Sequence, residues 1–400
     1  MVAMLPEFVN APINYLLVKV AARCNIDCSY CYWFRDKSVY AKPKLMSPAV
    51  RDQLLRRVEE QIVRYSLEEF SLLLHGGEPL LWGIGNVCHL AEDCRSISDR
   101  TGCSFAFSLT TNGVLLDDGW LDCFEQNTIH VTLSIDGPAH IHDLHRRTFQ
   151  GGPTHALVER AIRLLQHRGT HFGVLAVCNP AYHPKEYVEY FAAVGIDEFD
   201  VLLPDATFDD SPPSIGKFYC DLFDLWLDGN REKRGLNIRS VENMVAALLG
   251  GQSKSEEIGY APQEICTIMT DGGMEPLDVL RIAGDGSTRT SFNIFENAIE
   301  EIKDEPRWKA ARDASLNLSD KCKQCRYMQA CGGGYLPHRF SEENGHDNPS
   351  VYCEDLYGTL SHIQSVLEKQ VYVSEPSGKK IAIGEVIEST EQSPLQAQGA

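Results

Sequence analysis

From residue 12 to about 205, short apolar runs alternate with longer amphipathic ones. The apolar runs are YLLVKV (15–20), EFSLLLH (69–75), SFAFSLTT (104–111), IHVTLSID (129–136), HFGVLAVC (171–178) and FDVLLP (199–204). Each has the length of a strand. Between them, SPAVRDQLLRRVEEQIVRY and THALVERAIRLLQHRG repeat apolar residues at helical spacing, with Ser47 and Thr154 placed to cap. Such alternation predicts parallel strands joined by right-handed crossovers. Six units predict an α/β fold, a partial (β/α)6 barrel over residues 1–205. In such folds chemistry sits at the carboxyl ends of the strands. There lie CNIDCSYC, HGGEP, TTNG, SIDG and LPDATFDD.

Residues 206–260 read as a helical connection. Residues 261–373 read as a small α+β domain: a strand-and-turn region, a cysteine-rich segment from Cys322 to Cys353, and a helix. The polar stretch 374–400 reads as a flexible tail.

The chain has 400 residues and a formal net charge of −19, which argues against binding nucleic acid or anionic membranes. A hydrophobic fraction of 43% allows a sizeable core. The N-terminal sequence lacks the basic and apolar regions of a signal peptide. No apolar run approaches the roughly 18 residues of a membrane span. A cytoplasmic location is the expectation. Fourteen cysteines there need a reason other than disulfides.

Cys24, Cys28 and Cys31 follow the first apolar run in a C-x3-C-x2-C array. A closed zinc site wants a fourth ligand, and the next histidine is His75. Three thiolates around a 4Fe–4S cluster leave one iron open for a ligand. Buried thiols or a zinc knuckle are the alternatives. This array, with Tyr30 before its third cysteine, resembles that of the radical S-adenosylmethionine (SAM) enzymes. The resemblance implies that SAM binds the open iron and yields a 5′-deoxyadenosyl radical, and that an electron donor such as flavodoxin or ferredoxin is a partner.

In HGGEP, Gly76 and Gly77 allow close backbone approach to a ligand, Glu78 can accept from an ammonium group, and Pro79 stiffens the turn. In the resembled family this segment contacts the methionine amino group. The resemblance further implies Ser134 and Asp136 at the ribose hydroxyls, Asn112 near the cofactor, and Arg147, in preference to Arg146, at the carboxylate. For each of these a capped turn or a solvated side chain is the plainer alternative.

Cys322, Cys325 and Cys331 form C-x2-C-x5-C, with Cys353 further on. Four thiolates suit a second cluster or a zinc site equally. The pattern resembles the SPASM extension of peptide-modifying radical SAM enzymes, which implies one auxiliary 4Fe–4S cluster here. The full SPASM pattern has seven cysteines and two such clusters. Here Leu277 and Tyr335 occupy two of its cysteine positions. Cysteines 88, 94, 103, 123, 178, 220 and 266 are expected to be ordinary thiols, Cys266 being the open case. Asp278 follows Leu277. In the sulfatase-maturing branch an aspartate at this place is the proposed base, and the alternative is a carboxylate paired with Arg281. Asp205, ending the sixth strand, is a second candidate.

The segments ACGGGYLPHRF…GHDNPSVYC and DGGMEPLDVLRIAGDG resemble the branch that matures ribosomally made peptides. That resemblance implies a precursor-peptide substrate and a cyclophane crosslink between an aromatic ring and a β-carbon. Thioether formation, epimerisation and formylglycine formation start from the same radical. A non-enzymatic zinc protein that binds a partner is the reading from a different class.

Overall fold

The structure, a computed structural model, describes residues 11–231, 235–253, 255–370, 372–374 and 380–382. Strand β1 (Tyr15–Ala21) leads through the cysteine loop to helix α1 (Pro48–Tyr65), and β2 (Glu69–Gly76) leads to α2 (Ile84–Thr101). The alternation continues through β3 (Ser104–Thr111), α3 (Asp118–Asn127), β4 (Ile129–Ser134), α4 (Ala139–His145) and α5 (His155–Arg168). Strand β5 (Phe172–Val177), α6 (Pro184–Ala193), β6 (Glu198–Leu202) and α7 (Gly216–Arg231) complete the six expected units.

Short strands β7 (Asn237–Ile238) and β8 (Cys266–Ile268) flank α8 (Arg239–Leu248), and β9 (Met274–Glu275) follows. The sheet runs β9-β8-β1-β2-β3-β4-β5-β6-β7, and only the β8–β9 pair is antiparallel. Leu16 pairs with Cys266 and Val18 with Ile268, so the expected C-terminal domain begins inside the barrel sheet. Helices α9 (Pro306–Leu316) and α10 (Cys353–Gln370) follow. Asp355 of α10 accepts from Gly216 N at 2.9 Å, and Asp224 of α7 meets His362 at 2.8 Å.

Alternate positions face opposite ways, as a pleat requires. Leu16, Val18, Leu72, Leu74, Leu109 and Val131 are buried in the helix-facing core. Ser71, Ser108, Thr132 and Gly173, on the other face, are half-buried. These small residues leave the barrel lumen open.

Ser47 caps α1 as expected, its hydroxyl accepting from Val50 N at 3.3 Å. Thr154 does not cap α5. Asp143 does, accepting from Thr154 N at 2.8 Å and His155 N at 2.9 Å, while the Thr154 hydroxyl donates to Arg146 O. A carboxylate there also favours the positive end of the helix. Among the described residues no helix is long and apolar enough to cross a membrane. Tyr372–Ser374, which reaches the start of the expected tail, pairs antiparallel with Lys380–Ala382 inside it, and the rest of 374–400 lies outside the described residues.

Candidate active site at the carboxyl ends of the strands

The loop after β1 carries Cys24, Cys28 and Cys31, all half-buried free thiols. Burial pushes the Cys24 and Cys28 thiols up to about 12, and each cysteine would raise its neighbours further if ionised. Such a set binds as thiolates only when a strongly charged centre offsets that cost.

The two glycines of HGGEP hold this loop, a role the sequence did not suggest. A Cβ at Gly76 would lie 2.3 Å from Ala21 O, and one at Gly77 would lie 2.4 Å from Arg23 O. Gly77 N donates to Ala21 O (2.8 Å) and Glu78 N to Arg23 O (2.9 Å). Close approach here is between the ends of β1 and β2.

Glu78 is buried and ties β2 to β3. It accepts from Leu80 N (3.0 Å), the Thr111 hydroxyl (2.6 Å) and Asn112 N (2.9 Å). Burial nevertheless raises its pKa to about 7, because no cation of the protein reaches it. The Asn112 amide donates to Asn25 Oδ1 (2.8 Å), beside Cys24, and Asn25 Nδ2 is buried without a partner. An uncompensated carboxylate and an orphaned amide next to three thiols fit a zwitterionic ligand on an open-cornered cluster. Pro79 is buried and opens the short turn that Glu78 caps.

Asp136 does not face a ribose. It is 2% exposed and consumed by protein: Val177 N donates at 3.0 Å, Tyr30 Oη at 2.5 Å and Arg146 Nε at 2.9 Å. Burial alone would raise its pKa, but Arg146 outweighs that and holds it below the usual range. The buried arginine is thus Arg146, which also lies over the Tyr30 ring (5.5 Å). The preferred candidate, Arg147, is exposed and donates to Asp143 O. Ser134 ends β4 half-buried.

Sequence reading missed a buried lysine that joins several of these segments. Lys19, on the inward face of β1, is 0% exposed. Its ammonium is ion-paired with Asp278 and reaches Tyr32 Oη and His75 Nδ1, each at 3.1 Å. Tyr32 Oη donates to Asp278 at 2.5 Å. Burial pushes the Asp278 carboxyl up, yet Lys19 outweighs burial and leaves it well below the carboxylate range. His75 Nδ1 accepts from Lys19 and from Gly76 N (2.8 Å), and burial lowers its pKa to about 4, so it is neutral. The expected alternative partner of Asp278 is also corrected: the Arg281 guanidinium pairs with Asp36 and Glu275. A charged residue inside YLLVKV was the one signal available.

Cys322, Cys325, Cys331 and Cys353 line a single cavity of about 270 Å³. Among the described residues no three His, Cys, Asp or Glu side chains converge on one ion-sized point. Thiols spread around such a space suit a multi-atom cluster better than one zinc held at about 2.3 Å. Gly332 is in the left-handed region (φ 63°), and a Cβ there would strike Gly259 O at 2.1 Å. Leu277 and Tyr335, at the two absent cysteine positions, share an apolar cluster with Leu280, Ala311 and Leu336. Apolar packing thus stands at two positions where the full SPASM pattern has thiols. Cys266 is a core thiol of β8. Asp205 lies 3.5 Å from His338 Nε2.

Comparison with known proteins agrees with this layout. Residues 18–200 match the model of the radical SAM superfamily. The cysteine-type anaerobic sulfatase-maturating enzyme of Clostridium perfringens is 27% identical over 359 residues, covering 86% of this chain and 94% of its own. The structure of native anSMEcpe with bound AdoMet and Cp18Cys peptide has a TM-score of 0.79 at 24% identity, covering 88% of this chain and 96% of that one. Streptococcus suis SuiB bound to precursor peptide SuiA has a TM-score of 0.60 at 16% identity, covering 86% and 76%. These two likenesses establish the fold.

Proposed function

With residues 18–200 making the chain a radical SAM enzyme, we propose that it matures a ribosomally made peptide by joining a side-chain β-carbon to a nearby aromatic ring. Cys24, Cys28 and Cys31 would hold the open-cornered cluster, with Glu78 and Asn25 toward the SAM amino-acid group. Cys322, Cys325, Cys331 and Cys353 would hold the auxiliary cluster. When bound, SAM supplies the radical that removes a β-hydrogen, and the auxiliary cluster offers an acceptor for one electron.

The rest falls to the peptide and the lumen. The β-carbon radical adds to the ring, and the ring then loses one electron and one proton. The sum is the loss of two hydrogens and one new C–C bond. The observation that carries this reading is the Lys19–Asp278 ion pair. A carboxylate held so firmly ionised is a weak base. It suffices for a cationic ring, which is a strong acid, and is poorly matched to a hydroxyl proton. Tyr32 donates to Asp278 directly, and His75 holds its partner Lys19. The apolar packing of Leu277 and Tyr335 supports a route with a single extra cluster.

Formylglycine formation is the second reading. It is favoured by the similarity to the Clostridium perfringens enzyme over 94% of that protein, and by Asp278 following the position of a missing SPASM cysteine. One experiment separates them. Reconstituted enzyme is incubated without oxygen with SAM, a reductant, and either a precursor peptide encoded nearby or a cysteine- or serine-bearing sulfatase peptide. Loss of two hydrogens within a short aromatic motif, unreactive to hydrazides, supports the crosslink. A hydrazide-reactive aldehyde in the sulfatase peptide would overturn it.

A further inference from the structure

Among the described residues four lysine and arginine side chains are buried: Lys19, Arg146, Arg281 and Arg339. Lys19 is paired with Asp278, Arg146 with Asp136, and Arg281 with Asp36 and Glu275. Arg339 breaks the pattern. It is 1% exposed, and among the described residues no carboxylate lies within ion-pair distance of it. Its Nε donates to Asn348 O at 3.0 Å and its Nη2 to Asn317 O at 3.3 Å. Both acceptors are neutral carbonyls. Asp347 acts on it only from longer range, and is exposed. A buried guanidinium held by carbonyls alone is an uncompensated charge.

Its position says where the matching anion belongs. Nη1 makes no hydrogen bond among the described residues, and it lies 3.7 Å from where a Cβ on Gly333 would stand. Gly333 lines the cavity together with Cys322, Cys325, Cys331 and Cys353. The free corner of the guanidinium therefore stands behind the wall of the four-cysteine site. The other two corners hold that site's frame. Asn317 lies five residues before Cys322, and Asn348 five before Cys353. Ser350 N donates to Gly333 O at 3.1 Å and Val351 N to His338 O at 2.8 Å, which fastens the same segment to the strand of chain that carries Arg339. Lys321, the cation that lines the cavity itself, is exposed and already paired with Glu354.

We propose that Arg339 is the counter-cation of the group that the four cysteines hold, a positioning residue that also eases that group's reduction. The assignment rests on the auxiliary cluster of the reading above. Four thiolates give such a cluster a net negative charge, and one further electron adds to it. A fixed cation in a water-poor surround offsets both, and it favours the reduced state more. A guanidinium suits the place better than an ammonium, because it stays charged when buried and its planar fork can serve two carbonyls and an anion at once. The electron concerned is the one that the ring gives up, and the proton goes to Asp278.

The test uses the reconstituted full chain. Its two clusters are told apart by added SAM, which perturbs only the paramagnetic signal of the open-cornered one. Redox titrations followed by electron paramagnetic resonance then read the signal that SAM leaves alone. In Arg339→Gln and Arg339→Met the ratio of reduced to oxidised cluster at a set potential is expected to fall about tenfold, a shift of about 59 mV to more negative values for one electron. Arg339→Lys keeps the charge and stays close to the parent. A role confined to bonding Asn317 and Asn348 would lower melting temperatures and leave the potential where it is. An unchanged potential in both neutral variants therefore overturns the counter-cation. Where neither neutral variant takes up iron at the four cysteines, Arg339→Lys decides: uptake restored by the lysine supports the assignment, and uptake lost there too overturns it. Zinc in place of iron at these cysteines in the parent overturns the auxiliary cluster itself, and the counter-cation with it.

Discussion

Lys19 and Asp278 form an ion pair inside the lumen, their side chains 0% and 2% exposed. They come from β1 and from the turn after β9, so the pair joins the two ends of the catalytic region. Removing one partner leaves the other charge buried and uncompensated. Lys19→Met is expected to cost about 3–5 kcal/mol in denaturant unfolding. Lys19→Met combined with Asp278→Leu should recover most of that loss, because exchanging a whole buried pair for apolar groups is close to neutral. Equal stability of Lys19→Met and the parent would mean that the pair is not held away from water.

Glu78 sets a pH dependence with a definite sign. Its folded pKa is raised from 4.5 to about 7, so the folded state favours its protonated form. For the free protein, Glu78 therefore costs stability as pH rises from about 4.5 to about 7, and no further above that. Binding an ammonium needs the carboxylate. SAM affinity should then rise with pH up to about 7 and level off, as read by calorimetry on the reconstituted enzyme. Glu78→Gln should bind more weakly and lose this slope. An unchanged slope in that variant rejects the assignment.

Adjacent arginines should behave in opposite ways. Arg146→Gln strips Asp136 of its buried guanidinium, at a cost of about 3–5 kcal/mol, and loosens Tyr30 beside the cysteine loop. Arg147→Gln removes an exposed side chain, with an expected change within about 0.5 kcal/mol. Thermal melts and iron content of the two variants check this. Equal losses would contradict the burial difference.

These examples show what one-dimensional reading could reach. Strand and helix positions were legible, because the six apolar runs and the helical periodicity between them are local. The cysteine loop was legible too, since its three cysteines lie within eight residues. Choosing Arg146 over Arg147 was not, because it depends on which neighbour turns toward Asp136, a contact fixed by packing. Nor was the packing of Gly76 and Gly77 on the end of β1, because that partner lies some fifty residues earlier in the chain. Asp143 displaced Thr154 as the cap because the intervening loop folds back on the helix. The Lys19 network draws on four distant segments, so only the oddity of a lysine in an apolar strand hinted at it.

The pairing of β8 with β1 has a consequence for anyone who wishes to divide this chain. A cut near residue 260 would strip β1 of a neighbour and bare a row of unpaired amides and carbonyls on an apolar strand. Such an edge invites self-association. The fragment would also lose Asp278, leaving Lys19 as a lone charge in the lumen. The first two hundred residues therefore do not make a transplantable cassette: radical generator and cysteine-rich segment are two regions of one indivisible fold.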